Sequence, residues 1–278
     1  MPPPTELPKD LSDADIQGMV EGLFIQEDGD FSLDRLKLVG RRAIPFLIGG
    51  LQDQRTATTI FHEINHLKSP FERICLLLEI LDGPPEAAVA LAKYLDNPTK
   101  RFREVGALGV GNIAAADCIG PVTKALADKD GSVRGYTMIG VYRALKENRG
   151  ERVFFDGIFS AIAGGLNHKN GDAPKILVSI DRERAIPILI ASENLSIANP
   201  QLQHILAALN LARYPIPLMR LLPLMHQLES TADRYPGCYQ YAQALISYAH
   251  NPDAETKSKL RLNLASSVDI VKECAAWA

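Results

Sequence analysis

Along most of the chain apolar residues recur three and four positions apart, the period of an amphipathic helix, while alternating β-branched runs are nearly absent. Six segments share one texture: "AIPFLIGGLQD" from Ala43, "AVALAKYLDN" from Ala88, "CIGPVTKALAD" from Cys118, "VFFDGIFSAIAGGL" from Val153, "AIPILIASEN" from Ala185 and "PLMRLLPLMHQL" from Pro217. With Val89, Ile119, Phe155, Ile186 and Leu218 as equivalent anchors, the spacings are 30, 36, 31 and 32; the interval from Ile44 to Val89 is longer, at 45. A period of this size with two helices per unit predicts an α-solenoid, in which each pair buries the apolar face of its neighbour.

Between these segments lie polar turns and a second set of helices, including "LDNPTKRFREVGALGVGNI" and "LADKDGSVRGYTMIGVYRAL". Ile44-Pro45, Gly120-Pro121 and Ile186-Pro187 place proline where a first helical turn tolerates it. Gly106, Ala107, Gly109 and Gly140 are small residues inside helices, where glycine costs about 1 kcal/mol relative to alanine. Their presence predicts that another helix approaches closely along that face. The expected organisation is a disordered or extended lead over 1–10, then one domain over 11–278. That domain comprises an N-terminal cap over 11–40, repeats over 41–252 with an inserted helix near 56–68, and a C-terminal cap over 253–278.

"FREVGALGVGNI" (Phe102 to Ile113) and "DKDGSVRGYTMIGVYRAL" (Asp128 to Leu145) resemble HEAT-like repeats, the short kind also found in phycobilisome lyases. Asp128, Asp130, Val133 and Arg134 match the turn and its apolar-Arg pair; Phe102, Arg103, Gly106, Ala107, Gly109, Gly111 and Ile113 match the second helix. The likeness is good over residues 86–146, fair to 250 and poor before 40. It implies an all-α, right-handed, armadillo-type superhelix of about five to six antiparallel helix pairs. It further implies a non-catalytic scaffold whose concave face, lined by second helices, binds another protein. In such arrays the arginine commonly bonds acidic turn residues, here Asp96, Asp128 or Asp130.

Composition narrows the field. Net charge is −3, so no long-range field draws the chain to nucleic acid or anionic lipid, and a single Trp with 6% aromatics argues against a base-stacking platform. Cys75, Cys118, Cys238 and Cys274 form no CxxC pair and read as reduced buried thiols. No stretch is long and apolar enough to span a bilayer, and "MPPPTELPKD" carries no secretory pattern. A cytoplasmic protein with no cofactor and no small-molecule substrate is expected.

The candidate partner-binding residues are Arg103, Arg134 and Lys175, a basic ridge flanked by Lys100, Arg101, Lys129 and Lys169, together with Tyr142 and Tyr239 from a set of tyrosines on second helices. Asp96, Asp128, Asp130 and Asp172 dilute that ridge. One motif points elsewhere: His62-Glu63-x-x-His66 has zincin spacing, with Glu79 and Glu86 available as a third ligand. No sheet edge is predicted beside it, so no metal site is assigned and a surface or packing helix is the preferred reading. Two further alternatives follow from family analogy, a bilin lyase and a nucleic-acid binder of the alkylpurine glycosylase type. No nucleophile–base pair or phosphate loop is present, because the glycines of "GALGVGNI" sit inside a helix and follow no strand.

Overall fold

The computed structural model describes residues 11–26, 28–61, 69–166, 172–191 and 202–212. Among them every regular element is helical: α1 (Asp13–Gly22), α2 (Gly29–Val39), α3 (Ile44–Gln52), α4 (Gln54–Thr58), α5 (Pro70–Ile80), α6 (Pro85–Ala92), α7 (Lys100–Ile113), α8 (Ile119–Leu126), α9 (Gly131–Lys146), α10 (Arg152–Gly164), α11 (Ala173–Ile180), α12 (Arg182–Leu189) and α13 (Leu202–Leu211), with short 3-10 turns before α3, after α6 and before α8. The all-α expectation therefore holds. The chain divides into two compact units within α10, between Ile158 and Phe159.

Local chemistry sets the helix starts. Ser12 forms a capping box on α1, accepting from the Asp15 N–H at 3.2 Å while its own N–H donates to the Asp15 carboxylate at 2.9 Å. Ser69 accepts from the Glu72 N–H at 3.2 Å, with Pro70 as the first residue of α5. Pro45 lies in the first turn of α3 as predicted. Pro187 does not have that place: the Asp181 side chain caps the Arg184 N–H at 3.0 Å, so α12 begins at Arg182 and encloses the proline. The inserted helix expected near 56–68 is described only at its beginning. There α4 ends at Thr58, and 62–68 lie outside the described residues.

In the first unit the second helices touch in chain order, α2 on α5, α5 on α7 and α7 on α9, and the first helices do likewise, α1 on α3 and α3 on α6. The tightest junction is α7 on α9. A Cβ added at Gly140 would meet the Leu108 carbonyl oxygen at 2.4 Å and the Asn112 nitrogen at 3.0 Å; one at Gly111 would meet the Thr137 oxygen at 2.9 Å. Backbone lies against backbone here, which is the close approach that Gly140 predicted. Gly106 and Gly109 serve α6 and its following turn instead, facing Tyr94 and Leu91. Beneath these contacts the Phe71 and Tyr94 rings stack with centroids 4.0 Å apart and Phe102 lies 5.4 Å from Phe71, all buried. The Tyr94 hydroxyl donates to the Leu51 carbonyl at 2.7 Å, and burial pushes its pKa up to about 12.

Four helices share a feature just past their ends. Gly40, Asp82, Ala114 and Asn148 all have positive φ, between 56° and 69°, at the ends of α2, α5, α7 and α9. After α9 the Asn148 N–H donates to the Leu145 carbonyl and the Arg149 N–H to that of Ala144, a Schellman closure that α5 repeats through Asp82 and Gly83. Of the sequence anchors, Val89 is exposed at 43%, and Ala88 and Leu91 fill the buried positions in its place.

In the second unit, α11, α12 and α13 contact one another around Ile176, Leu177, Leu189, Ile205 and Leu209, all buried. The Arg184 guanidinium lies over the Phe159 ring, 4.0 Å from its centroid. The C-terminal cap expected over 253–278 lies outside the described residues.

Gly140→Ala should destabilise the protein by about 3 kcal/mol, because both nearest atoms are backbone and cannot rotate away; urea unfolding followed by circular dichroism measures it. Asn148→Gly should act in the opposite direction, adding about 0.5–1 kcal/mol by relieving a left-handed non-glycine residue at an exposed site, read as a rise in melting temperature.

Candidate partner-binding face

The arginines of the second helices divide into two groups by what they bond. Arg103 is 7% exposed: its Nε donates to Asp128 at 3.0 Å, its Nη2 to Asp130, and its Nη1 to the carbonyls of Asn97 and Pro98 at 3.0 and 3.2 Å. On α9, the Arg134 Nη1 donates to the carbonyls of Asp128 and Lys129 at 2.6 and 3.3 Å. Both arginines reach back five and six residues to the turn before their own helix. The acidic turn expected from the sequence is therefore built, with Asp128 and Asp130 as acceptors; Asp96 instead pairs with Lys124.

Arg103 is thus spent on the turns before and after its helix and has no face to offer a partner, while Arg134 gives its Nη1 to the turn before its own. That corrects the assignment of Arg103 to a surface ridge: the guanidinium's five donors find acceptors inside the protein before they reach its surface. Lys175 lies half-buried on α11, in the second unit. Tyr142 is half-buried on α9. Tyr239, His62, Glu63 and His66 lie outside the described residues.

Arg73 went unnoticed in the sequence because "FERI" lacks an acidic turn before it. It is 2% exposed and donates to the carbonyls of Leu23, Ile25 and Gln26 at 2.9, 2.9 and 3.2 Å, closing the end of α1, while its guanidinium lies over Phe61. Gly29 accommodates it, since a Cβ there would fall 1.7 Å from Nη1.

A second group of charges ties helices together across their outward sides. The Arg101 Nε donates to Glu72 at 2.6 Å, joining α7 to α5. Burial alone would lower the pKa of Arg101, but its bond to Glu72, that carboxylate's charge and the nearby Tyr136 hydroxyl together raise it. The Arg143 Nη1 donates to Glu79 at 2.6 Å, carrying a bond from α9 to α5 over the helix between them. Glu72 and Glu79, Arg101 and Leu108, and Tyr136 and Arg143 are each two turns apart on their helices, so they mark one stripe on each. Leu76, half-buried, and Ile139, 37% exposed, fall on the same stripes between the two ties.

Two cavities adjoin this array. One of about 470 Å³ is lined by Ile60, Ser69, Phe71, Glu72, Arg101 and Phe102. The other, about 440 Å³, lies at the ends of the second helices, where Arg149 bonds Asn112 at 3.1 Å and Arg41 stands 3.6 Å from Asp82. Its charges compensate one another. Cys75 and Cys118 are unpaired thiols; burial raises both, Cys118 to about 11, which makes them poor nucleophiles at neutral pH. Among the described residues no group of three His, Cys, Asp or Glu could hold a metal ion, and no helix is long and apolar enough to cross a membrane. No family model, curated protein or solved structure matches the chain.

Arg103→Met should cost about 3 kcal/mol, since it strands Asp128 and two turn carbonyls. Burial raises the Asp128 pKa, yet its bonds from the Asp130 N–H and from Arg103 outweigh that and hold it below the usual carboxylate value. A depressed folded pKa contributes stability that is present above the unfolded value of about 3.9 and lost as pH falls through the folded one. Wild-type stability should therefore fall on acidification below about pH 4, more steeply than that of Arg103→Met, as urea midpoints between pH 3 and 6 will show.

Proposed function

We propose that the chain is a non-catalytic interaction scaffold, a right-handed HEAT-like α-solenoid that holds another protein, in the cytoplasm, against the row formed by α5, α7 and α9. The observation that carries this reading is the continuity of the row. Three second helices pack in order, the backbones of α7 and α9 meet at Gly111 and Gly140, and α5 and α9 keep Ile80 and Ile139 exposed at 49% and 37%. A face fixed by backbone contact and ion pairs needs little ordering when a partner arrives, so a few apolar and charged contacts suffice for useful affinity.

The partner-contacting residues are reassigned accordingly. Ile139, Arg101 and Arg143 replace Arg103 and Arg134, and Tyr142 is kept on the same helix.

Affinity capture from native cells with the full chain, repeated with Ile139→Asp and Tyr142→Ala, tests the reading. Ile139→Asp should cut recovery of the bound protein about tenfold and Tyr142→Ala severalfold, with melting temperatures close to wild type. A captured set unchanged by both variants would remove the scaffold reading for this face.

A further inference from the structure

The ion pairs on the outward side of α5, α7 and α9, Arg101–Glu72 and Arg143–Glu79 across helices and Lys100–Glu104 within α7, share one asymmetry. In the Arg101–Glu72 pair the side chains are 46% and 3% exposed; in Lys100–Glu104, 53% and 11%; in Arg143–Glu79, 44% and 27%. In every pair the carboxylate lies inside and the cation outside. Each acid is thus covered by its cation, which is the more exposed member of the pair. Arg143 uses Nη1 in the bond above, Arg101 uses Nε there and places Nη1 3.5 Å from the Glu104 carboxylate, and an arginine has five N–H groups. Between these cations lie the apolar side chains of Leu76 and Ile139, with Leu108 half-buried two turns from Arg101.

From this we infer that the face takes an acidic amphipathic segment of a partner protein, whose apolar side chains rest on Leu76, Leu108 and Ile139 and whose carboxylates reach Arg101 and Arg143. The inference rests on the scaffold reading and adds the chemistry of its partner. A net charge of −3 does not oppose it, because within a Debye length of about 8 Å a docked segment feels the local cations more than distant acids. A basic segment would meet those cations first and find the matching carboxylates covered.

Three probes decide it: a fluorescent helical peptide with leucine at i, i+3, i+4 and i+7 and glutamate elsewhere, the same peptide with lysine for glutamate, and a duplex DNA of similar charge. With the full chain, the glutamate peptide should bind by fluorescence anisotropy at least about tenfold more tightly than the lysine peptide, and should weaken as salt is raised. The pair Arg101→Gln and Arg143→Gln should weaken it about fivefold, and Ile139→Asp about tenfold. Circular dichroism of each variant confirms that the fold is kept. Equal binding of the two peptides, no saturation by the glutamate peptide up to about 200 µM, or stronger binding of the DNA would overturn the inference. If cellular capture is still lost in Ile139→Asp while the glutamate peptide fails, the scaffold stands and the acidic partner falls. If capture is indifferent to the variant, the scaffold reading itself has failed.

Discussion

The first unit depends on one close approach, the backbone contact of α7 and α9 at Gly111 and Gly140. Two helices meeting through side chains stand 8–10 Å apart, and only glycine at both positions lets carbonyl and amide atoms touch. That closeness has consequences on both sides of the row. Inward, it draws Val133, Ala107, Ala125 and Leu95 into one buried cluster, binding the pair α6–α7 to the pair α8–α9. Outward, it brings α9 near enough to α5 for Arg143 to reach Glu79 across the intervening helix. A bulkier junction would separate those two groups and remove the tie.

The arginine turns do a different task. Arg103 and Arg134 each fasten their helix to the turn before it, and Arg103 also crosses to the acids of the next turn. They hold the turns, while the glycines set the distance between α7 and α9. Arg73 closes the end of α1 by the same chemistry with carbonyls alone as acceptors. It stands 30 residues before Arg103, which stands 31 before Arg134, and all three donate to backbone carbonyls.

Helical periodicity and the small residues of "FREVGALGVGNI" made the all-helical character and the tight helix contact legible, because both follow from which side chains are apolar or absent. The turn role of Arg103 was legible for a related reason: arginine beside acidic turn residues has few other ways to satisfy five donors. The surface chemistry was not. Whether an arginine faces a partner or a carbonyl depends on residues 25 to 64 positions away, as Arg103 to Asp128 and Arg143 to Glu79 show, and no local pattern encodes that. The helix ends were hidden too, since Asp82, Ala114 and Asn148 occupy left-handed positions where glycine would have been the visible signal. Val89 misled as an anchor because an alanine-rich helix such as α6 has no large side chain to mark its buried face.

The orientation of the surface ion pairs follows from side-chain length. Glutamate has two methylenes and arginine three before the guanidinium, so when a pair forms across neighbouring helices the shorter partner stays near the helix surface and the longer one arches over it. A row tied in this way acquires a cationic outer layer while the chain as a whole remains acidic. The charge that such a row presents is then set by which member of each pair is longer, and net charge ceases to be a guide. The same ties keep Leu76 and Ile139 in place between them, so the apolar and charged parts of the face are fixed by one set of bonds. Loosening Glu79 from Arg143 would at once free a cation and unpin the helix that presents Ile139.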